Sequence, residues 1–336
     1  MRRVRLPLAP DLRVDFVDRE LALRRIEDWV DRGMRLVEVV YGPEGCGKTA
    51  WLLQSAELLR DFGFDVIYVN PLNRQVYADV GITSIRESIH KLVDEAISQN
   101  ALARIAWIAY NTAYELIKAR RGRVAVLIDD VFQVIGVGES AMYVKALLNL
   151  IEYPPAEYER VITIVTTSEG VSRREIGRHL WAHLDVMWNL PRTGYEELYG
   201  QIPNTKLSVE ETWRLTGGNP RILGELIARG WDVNGLIDWF ISTRNLKREF
   251  ISKWRDWLEA AVNDPDTLWV KNAPEELINT LIEQNLIIYS LPSRDSTAWI
   301  DTPPPERDPE LGVGRYVAWQ SPLYREVVRR ILMENG

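Results

Sequence analysis

The run GPEGCGKT at residues 42–49 matches the pattern GxxxxGK[ST] and falls between a predicted strand and a predicted helix. Successive backbone N–H groups must curl around a phosphate there. Small residues permit that curl, so Gly42, Gly45 and Gly47 stand where a side chain would intrude, and a helix N-terminus adds its positive dipole. Pro43, Glu44 and Cys46 complete the loop, and Ala50 follows in the first helical turn. Lys48 reaches the β and γ oxygens of a bound polyphosphate, and Thr49 offers its hydroxyl to Mg²⁺, an ion that takes few protein ligands beside phosphate and water. The second signal is VAVLIDD, an apolar run ending in Asp129 and Asp130. Carboxylates that emerge at the C-terminal edge of a parallel sheet stand beside the phosphates. Asp129 is expected in the Mg²⁺ shell, and Asp130 as the base that takes a proton from the attacking water.

Weaker candidates surround these two. Thr166, Thr167 and Ser168 end a further strand, and one of these hydroxyls, Thr167 and Ser168 foremost, could orient the water. Arg173 and Arg174 sit in the first turn of a predicted helix, where the dipole disfavours cations unless an anion compensates, so Arg173 is a candidate contact to phosphate. Cys46 is alone, so neither a disulfide nor a cysteine zinc cluster can form, and zinc is not expected. His90, His179 and His183 show no metal-binding spacing, and the HxxxH pair at 179 and 183 lacks the HExxH signature.

Elements that hold such residues can be read from periodicity. A helix is expected near residues 18–33 with Asp18 as its cap, then a buried strand LVEVVYG, a helix over 49–62 and a strand FDVIYVN. Two helices, near 85–99 and 102–121, lead to VAVLIDD. A helix near 140–152 leads to VITIVTTS, and a helix from Ser172, boxed by Glu175, is expected to run to His183 before a fifth strand DVMWNLP. This alternation describes a parallel sheet wrapped by helices. Beyond Pro191 helices dominate: Ser208 with Glu211 forms a capping box, and Asn219 with Pro220 opens another helix. Helices near 246–262 and 274–284, β segments LIIYSL and RYVAW, and a last helix from Ser321 have the order of a winged helix. The polar, proline-rich stretch between the β segments reads as a long exposed wing.

The 336 residues carry 41 basic and 48 acidic side chains, a formal charge of −7, which repels a nucleic-acid backbone over the surface as a whole. The 46% apolar content excludes disorder. The thirteen tryptophans are scattered and read as packing residues. Neither a membrane span nor a signal peptide is recognisable, so the cytoplasm is the expected location.

FVDRE (residues 16–20), GPEGCGKT, VLIDDVFQVI, TTSEG and LTGGNPRIL occur together and in this order, and the set resembles the archaeal ATPase family of the STAND class of P-loop NTPases, relatives of AAA+ proteins. The resemblance covers nearly the whole chain, and GGNP is its discriminating piece. It implies an α/β P-loop NTPase fold (AAA+ or ASCE-like) with a parallel 5-1-4-3-2 sheet. The implied domains are an ATPase core over 1–193, a helical lid over 194–243 and a winged-helix-like domain over 244–336. It further implies ATP or ADP with Mg²⁺ as ligands. Phe16, Val17 and Arg19 belong to the nucleotide-binding segment, with Phe16 and Val17 over the adenine and Pro220 closing on the base. Members often carry DE where this chain has Asp129 and Asp130. The shortened base suits a switch that hydrolyses ATP slowly and signals through lid position, with another protein as the expected partner of the winged-helix domain. The alternative is a DNA-binding ATPase resembling archaeal replication initiators. Against it, residues 240–336 hold 12 basic and 15 acidic residues, and the candidate recognition helix PEELINTLIEQN carries Glu275, Glu276 and Glu283 without lysine or arginine. The arginine-rich end helix, with Arg325, Arg329 and Arg330, is the remaining basic candidate.

Overall fold

A computed structural model describes residues 2–120, 122–168, 170–244, 246 and 248–334. Its strands, in chain order, are β1 (Arg5–Ala9), β2 (Leu12–Asp15), β3 (Val37–Tyr41), β4 (Asp65–Asn70), β5 (Gln75–Asp79), β6 (Arg123–Asp129), β7 (Arg160–Thr167), β8 (Ala182–Val186), β9 (Ile287–Tyr289) and β10 (Val317–Trp319). The chain divides into two compact units. One comprises Met1–Val4, Arg19–Tyr41 and Lys48–Val186, and the other Arg5–Asp18, Gly42–Gly47 and Met187–Gly336.

The first unit is built on a six-stranded sheet in the order β5-β4-β6-β7-β3-β8. Every neighbouring pair is parallel except β4 with β5. The sheet is therefore mixed, not wholly parallel as expected. The difference lies in residues 71–80. Asn70 accepts the Asn73 N–H through its side-chain oxygen at 2.9 Å, and Arg74 takes a φ of 53°, so the chain reverses at once and QVYAD pairs back on β4. Every residue of β3 and β4 is buried, as a sheet covered by helices on both faces requires. The helices Thr83–Ser98, Leu102–Arg120 and Val137–Glu152 supply Ile89, Ile105, Leu116, Tyr143 and Leu147 to that core.

Three local expectations are corrected. The first helix begins at Glu20, with Arg19 (φ 69°) at its cap position and no side-chain cap, so Asp18 does not cap it. The helix expected to reach His183 is Gly170–Ile176 and stops there, so Ser172 stands inside it and not at its cap, and Arg173 and Arg174 fall in its last turn and not its first; Glu169 of TTSEG lies outside the described residues. The fifth parallel strand starts earlier than DVMWNLP, at Ala182, which moves His183 from a helix onto an edge strand. The cause is register: the β8 segment pairs Glu38 with His183 and Val40 with Asp185, a ladder that helical spacing in the sequence conceals.

In the second unit β1 and β2 form an antiparallel hairpin, which the sequence reading did not anticipate. The Ser208–Glu211 capping box is present, and the Asn219 side chain caps the helix Pro220–Ala228 with Pro220 in its first turn. The expected 246–262 helix is two, Arg248–Lys253 and Arg255–Asn263, and β9 pairs with β10 antiparallel. The segment between them is not a free wing. Trp299, Ile300 and Val313 are buried. The Asp266 carboxylate accepts the N–H groups of Arg315, Tyr316 and Val317 at 2.7, 2.9 and 3.0 Å. Of the tryptophans, Trp51 and Trp319 are fully buried. No helix among the described residues is long and apolar enough to cross a membrane.

Candidate nucleotide site

In the first unit the acidic pair at the end of β6 sits in two different environments. Asp129 is wholly buried. Its Oδ2 accepts from Thr49 Oγ1 at 2.7 Å, Asn70 Nδ2 at 2.9 Å and the Tyr68 hydroxyl at 3.1 Å, and its Oδ1 accepts from Thr166 Oγ1. Four donors converging on one buried carboxylate satisfy its charge and fix its orientation. The donors come from the helix Lys48–Asp61, β4 and β7, which flank β6 in the sheet or pack on it. The Tyr68 ring stacks on Tyr77 of β5 at 5.7 Å, so the added hairpin supports this cluster. Burial and the Asp129 charge push the Tyr68 hydroxyl well above its ordinary pKa, so it remains a donor at neutral pH.

Asp130 leaves the sheet with φ 48°, a left-handed conformation that aspartate tolerates better than most residues. Its Oδ1 accepts from Ser168 Oγ at 3.1 Å and Ser168 N at 3.3 Å, and Gln133 Nε2 approaches the Ser168 hydroxyl at 3.5 Å. Burial, then the neighbouring Asp129, raise the Asp130 pKa; the positive charge of Lys48 and the Ser168 bonds oppose the rise. A carboxylate with raised pKa is a better proton acceptor. Lys48 is itself buried, at the start of the helix Lys48–Asp61.

Thr167 is buried and opposite Tyr41 in the β3–β7 register, whereas its neighbour Thr166 faces Asp129, since side chains alternate along a strand. The Arg173 guanidinium lies 4.4 Å from the centre of the Tyr41 ring.

In the second unit the loop Gly42–Gly47 is pinned by polar side chains. Glu44 N–H donates to Gln320 Oε1 at 2.9 Å, and Asn219 Nδ2 donates to the Glu44 carbonyl at 2.9 Å. The Glu44 carboxylate pairs with Arg221 and Arg244, each at 3.1 Å. A Cβ on Gly42 would lie 1.9 Å from the Met187 carbonyl oxygen, and one on Gly45 (φ +79°) 2.3 Å from Arg221 Cβ. Only glycine fits either position. Cys46 is buried, its thiol 3.5 Å from the Met187 carbonyl, as a packed structural residue. Phe16 and Val17 are buried, Val17 packing with Leu223 and Tyr195; Arg19, in the first unit, is buried too. Arg192 is tied to Glu196 and Glu210.

Sequence reasoning missed Tyr68, Asn70 and Thr166 as partners of Asp129, and Arg244 as a partner of Glu44. Asn70 carried a signal: it is the amide that ends the run VIYVN, at the same end of its strand as the acidic pair of VAVLIDD. Arg244 carried none.

Residues 16–226 match a protein family described as an ATPase domain predominantly from Archaea. No curated protein matches the sequence. Among solved structures, AMPPCP-bound DnaA from Aquifex aeolicus is 14% identical, with 80% of this chain and 84% of that one covered at a TM-score of 0.39. The ORC2 protein of Aeropyrum pernix, in ADPNP and ADP complexes, is 13% identical, with 78% of each chain covered and a TM-score of 0.39. The ORC1 protein of Aeropyrum pernix, in complex with DNA, is 15% identical over 95% of this chain and 93% of that one, again with a TM-score of 0.39.

Proposed function

The chain belongs to this family of ATPase domains, and from that premise we propose that it binds ATP with Mg²⁺, hydrolyses it slowly and acts as a nucleotide-controlled conformational switch. The observation that carries the reading is the 2.7 Å bond between Thr49 Oγ1 and Asp129 Oδ2. It unites the hydroxyl that follows the loop lysine with the first carboxylate of the second motif. A hydroxyl and a carboxylate oxygen side by side are the hard oxygen donors that suit Mg²⁺, so these residues fit the ion, with Thr49 and Asp129 as its holders. When bound, Mg²⁺ neutralises charge on the phosphate oxygens.

The protein's own groups do the rest. The loop N–H groups from Gly42 to Gly47, with Pro43, Glu44 and Ala50 alongside, cradle the phosphates, and Lys48 binds their terminal oxygens. Asp130 takes the proton of the attacking water as the new P–O bond forms and ADP leaves. Ser168, bonded to Asp130, orients that water, with Thr167 nearby in sequence; Arg173 is assigned to the departing phosphate. Phe16, Val17, Arg19 and Pro220 contact the nucleoside. Slow turnover follows from an aspartate whose short arm is already engaged by Ser168.

The proposed domains are a core over 1–193, a helical lid over 194–243 and a winged-helix-like domain over 244–336, the last binding a protein. Charge supports a protein over DNA. Of the three end-helix arginines, Arg329 pairs with Glu326, Arg330 with Asp238, and Arg325 donates to the Pro309 carbonyl.

The test is a thermal-shift and phosphate-release assay on Lys48→Ala and Asp130→Asn. Lys48→Ala is expected to abolish ATP-dependent stabilisation, and Asp130→Asn to retain it while losing hydrolysis. Equal melting shifts with ATP for wild type and Lys48→Ala would contradict the proposal. A salt-sensitive gel shift with duplex DNA, weakened by changing Arg325 and Arg329, would favour the DNA-binding alternative.

A further inference from the structure

Between β3 and β8, within the first unit, lies a second cluster that the proposed ATPase chemistry does not use. Glu38 is the one charged residue in an otherwise apolar, wholly buried strand. On the edge strand β8, His183 stands directly across from it and Asp185 two residues further along, all on one face. The side chains of Glu38 and Asp185 are 4% and 0% exposed, and that of His183 is 44% exposed. His183 Nδ1 lies 3.5 Å from Glu38 Oε1 and 3.3 Å from Asp185 Oδ1. The three ligand atoms fall within 4.8 Å of one another.

With the Glu38 carboxyl ionised, hydrogen bonding leaves this cluster incomplete. One imidazole nitrogen offers at most one proton to two carboxylates, and both separations are long for an N–H···O bond. Asp185 Oδ1 is buried and has no hydrogen-bond partner among the described residues. A buried carboxylate oxygen left unmet is costly, and this one points at the imidazole. The spacing does suit a metal. With bonds of about 2.1 Å to imidazole nitrogen and carboxylate oxygen, tetrahedral ligands stand about 3.4 Å apart. The two observed separations bracket that value. Arg25 Nη2 holds the other Asp185 oxygen at 3.0 Å, which turns Oδ1 toward His183, as outer partners of metal ligands commonly do.

We propose that Glu38, His183 and Asp185 bind a zinc-type divalent cation, separate from the Mg²⁺ assigned to Thr49 and Asp129, and that this ion clamps the edge strand β8 to β3. An imidazole ligand selects against Mg²⁺. The half-exposed His183 provides the entry path, and water completes the coordination.

The test uses the full chain stripped with EDTA. Isothermal titration is expected to record one Zn²⁺ per chain, with a rise in melting temperature. Co²⁺ is expected to give the visible absorption of a tetrahedral site. His183→Gln and Glu38→Gln should each weaken Zn²⁺ binding at least about a hundredfold, and Arg25→Gln, one step removed, about ten- to a hundredfold. His90→Gln, His179→Gln and Thr49→Ala should leave it unchanged. His183 is half exposed, so its variant should fold, which circular dichroism checks; Arg25→Gln provides a second measurement at a partly exposed position. Absence of stoichiometric Zn²⁺ binding, or binding undiminished in His183→Gln, overturns the proposal, as does equal loss in His179→Gln. Because ATP-dependent stabilisation is read separately with Lys48→Ala, failure of the zinc site and failure of the ATPase reading are distinguishable.

Discussion

Replacing Asp129 by Asn and by Ala separates its structural work from its proposed role toward Mg²⁺. Asp129 accepts from Thr49, Tyr68 and Asn70 through Oδ2 and from Thr166 through Oδ1. An asparagine can keep its carbonyl where three donors converge and turn its amide toward Thr166, whose hydroxyl rotates to accept. Four bonds survive, weakened by the loss of charge, while the repulsion of Asp130 is relieved, so the net cost should stay within about 2 kcal/mol. Alanine leaves the donors without an acceptor. The threonine hydroxyls can find carbonyls nearby, but the Asn70 amide cannot become an acceptor, and the Tyr68 hydroxyl is buried. Two orphaned donors at about 1–3 kcal/mol each place Asp129→Ala roughly 2–6 kcal/mol below wild type. Urea unfolding without nucleotide measures both. Melting shifts with ATP, in the presence and absence of Mg²⁺, measure the metal contribution: Asp129→Asn should keep the metal-free shift and lose the Mg²⁺ increment. Equal stability of the two variants would refute the reading of the network, and an unchanged Mg²⁺ increment in Asp129→Asn would refute the assignment of the ion.

Two further outcomes follow from specific contacts. Gly42→Ala should destabilise by about 1–3 kcal/mol or more in urea unfolding, since its Cβ would meet the Met187 carbonyl at 1.9 Å; wild-type stability would show that this close approach does not exist. For Glu38, burial, opposed chiefly by its bond to His183, raises the carboxyl from 4.5 to about 7, and the Glu38 bond raises His183 from its ordinary value. Both groups hold their protons more tightly when folded, so their stabilisation is complete at low pH and is lost as pH rises. The Glu38 part disappears between pH 4.5 and 7, on the order of 3 kcal/mol. In EDTA, unfolding midpoints from pH 5 to 8 should fall for wild type and flatten for Glu38→Gln; parallel slopes would exclude this linkage.

Contiguous signals were readable from the sequence. A glycine-rich turn between an apolar run and an amphipathic segment states its own local structure, so β3 and the helix Lys48–Asp61 lie close to the expected positions, as do the caps at Ser208 and Asn219. These depend on neighbours within a few residues along the chain, where backbone geometry and side-chain type suffice. What surrounds Asp129 depends instead on which strands lie beside β6 and in what register. Tyr68, Asn70 and Thr166 are distant in sequence and meet because β4 and β7 flank β6. The same lateral order carries His183 and Asp185 to Glu38, although the segment from Ser172 to His183 read as a helix with an unremarkable histidine pair. Hydrogen-bond ladders and packing set strand adjacency by long-range contacts, and such contacts leave no periodic mark in the sequence, so these clusters became visible only in the folded chain.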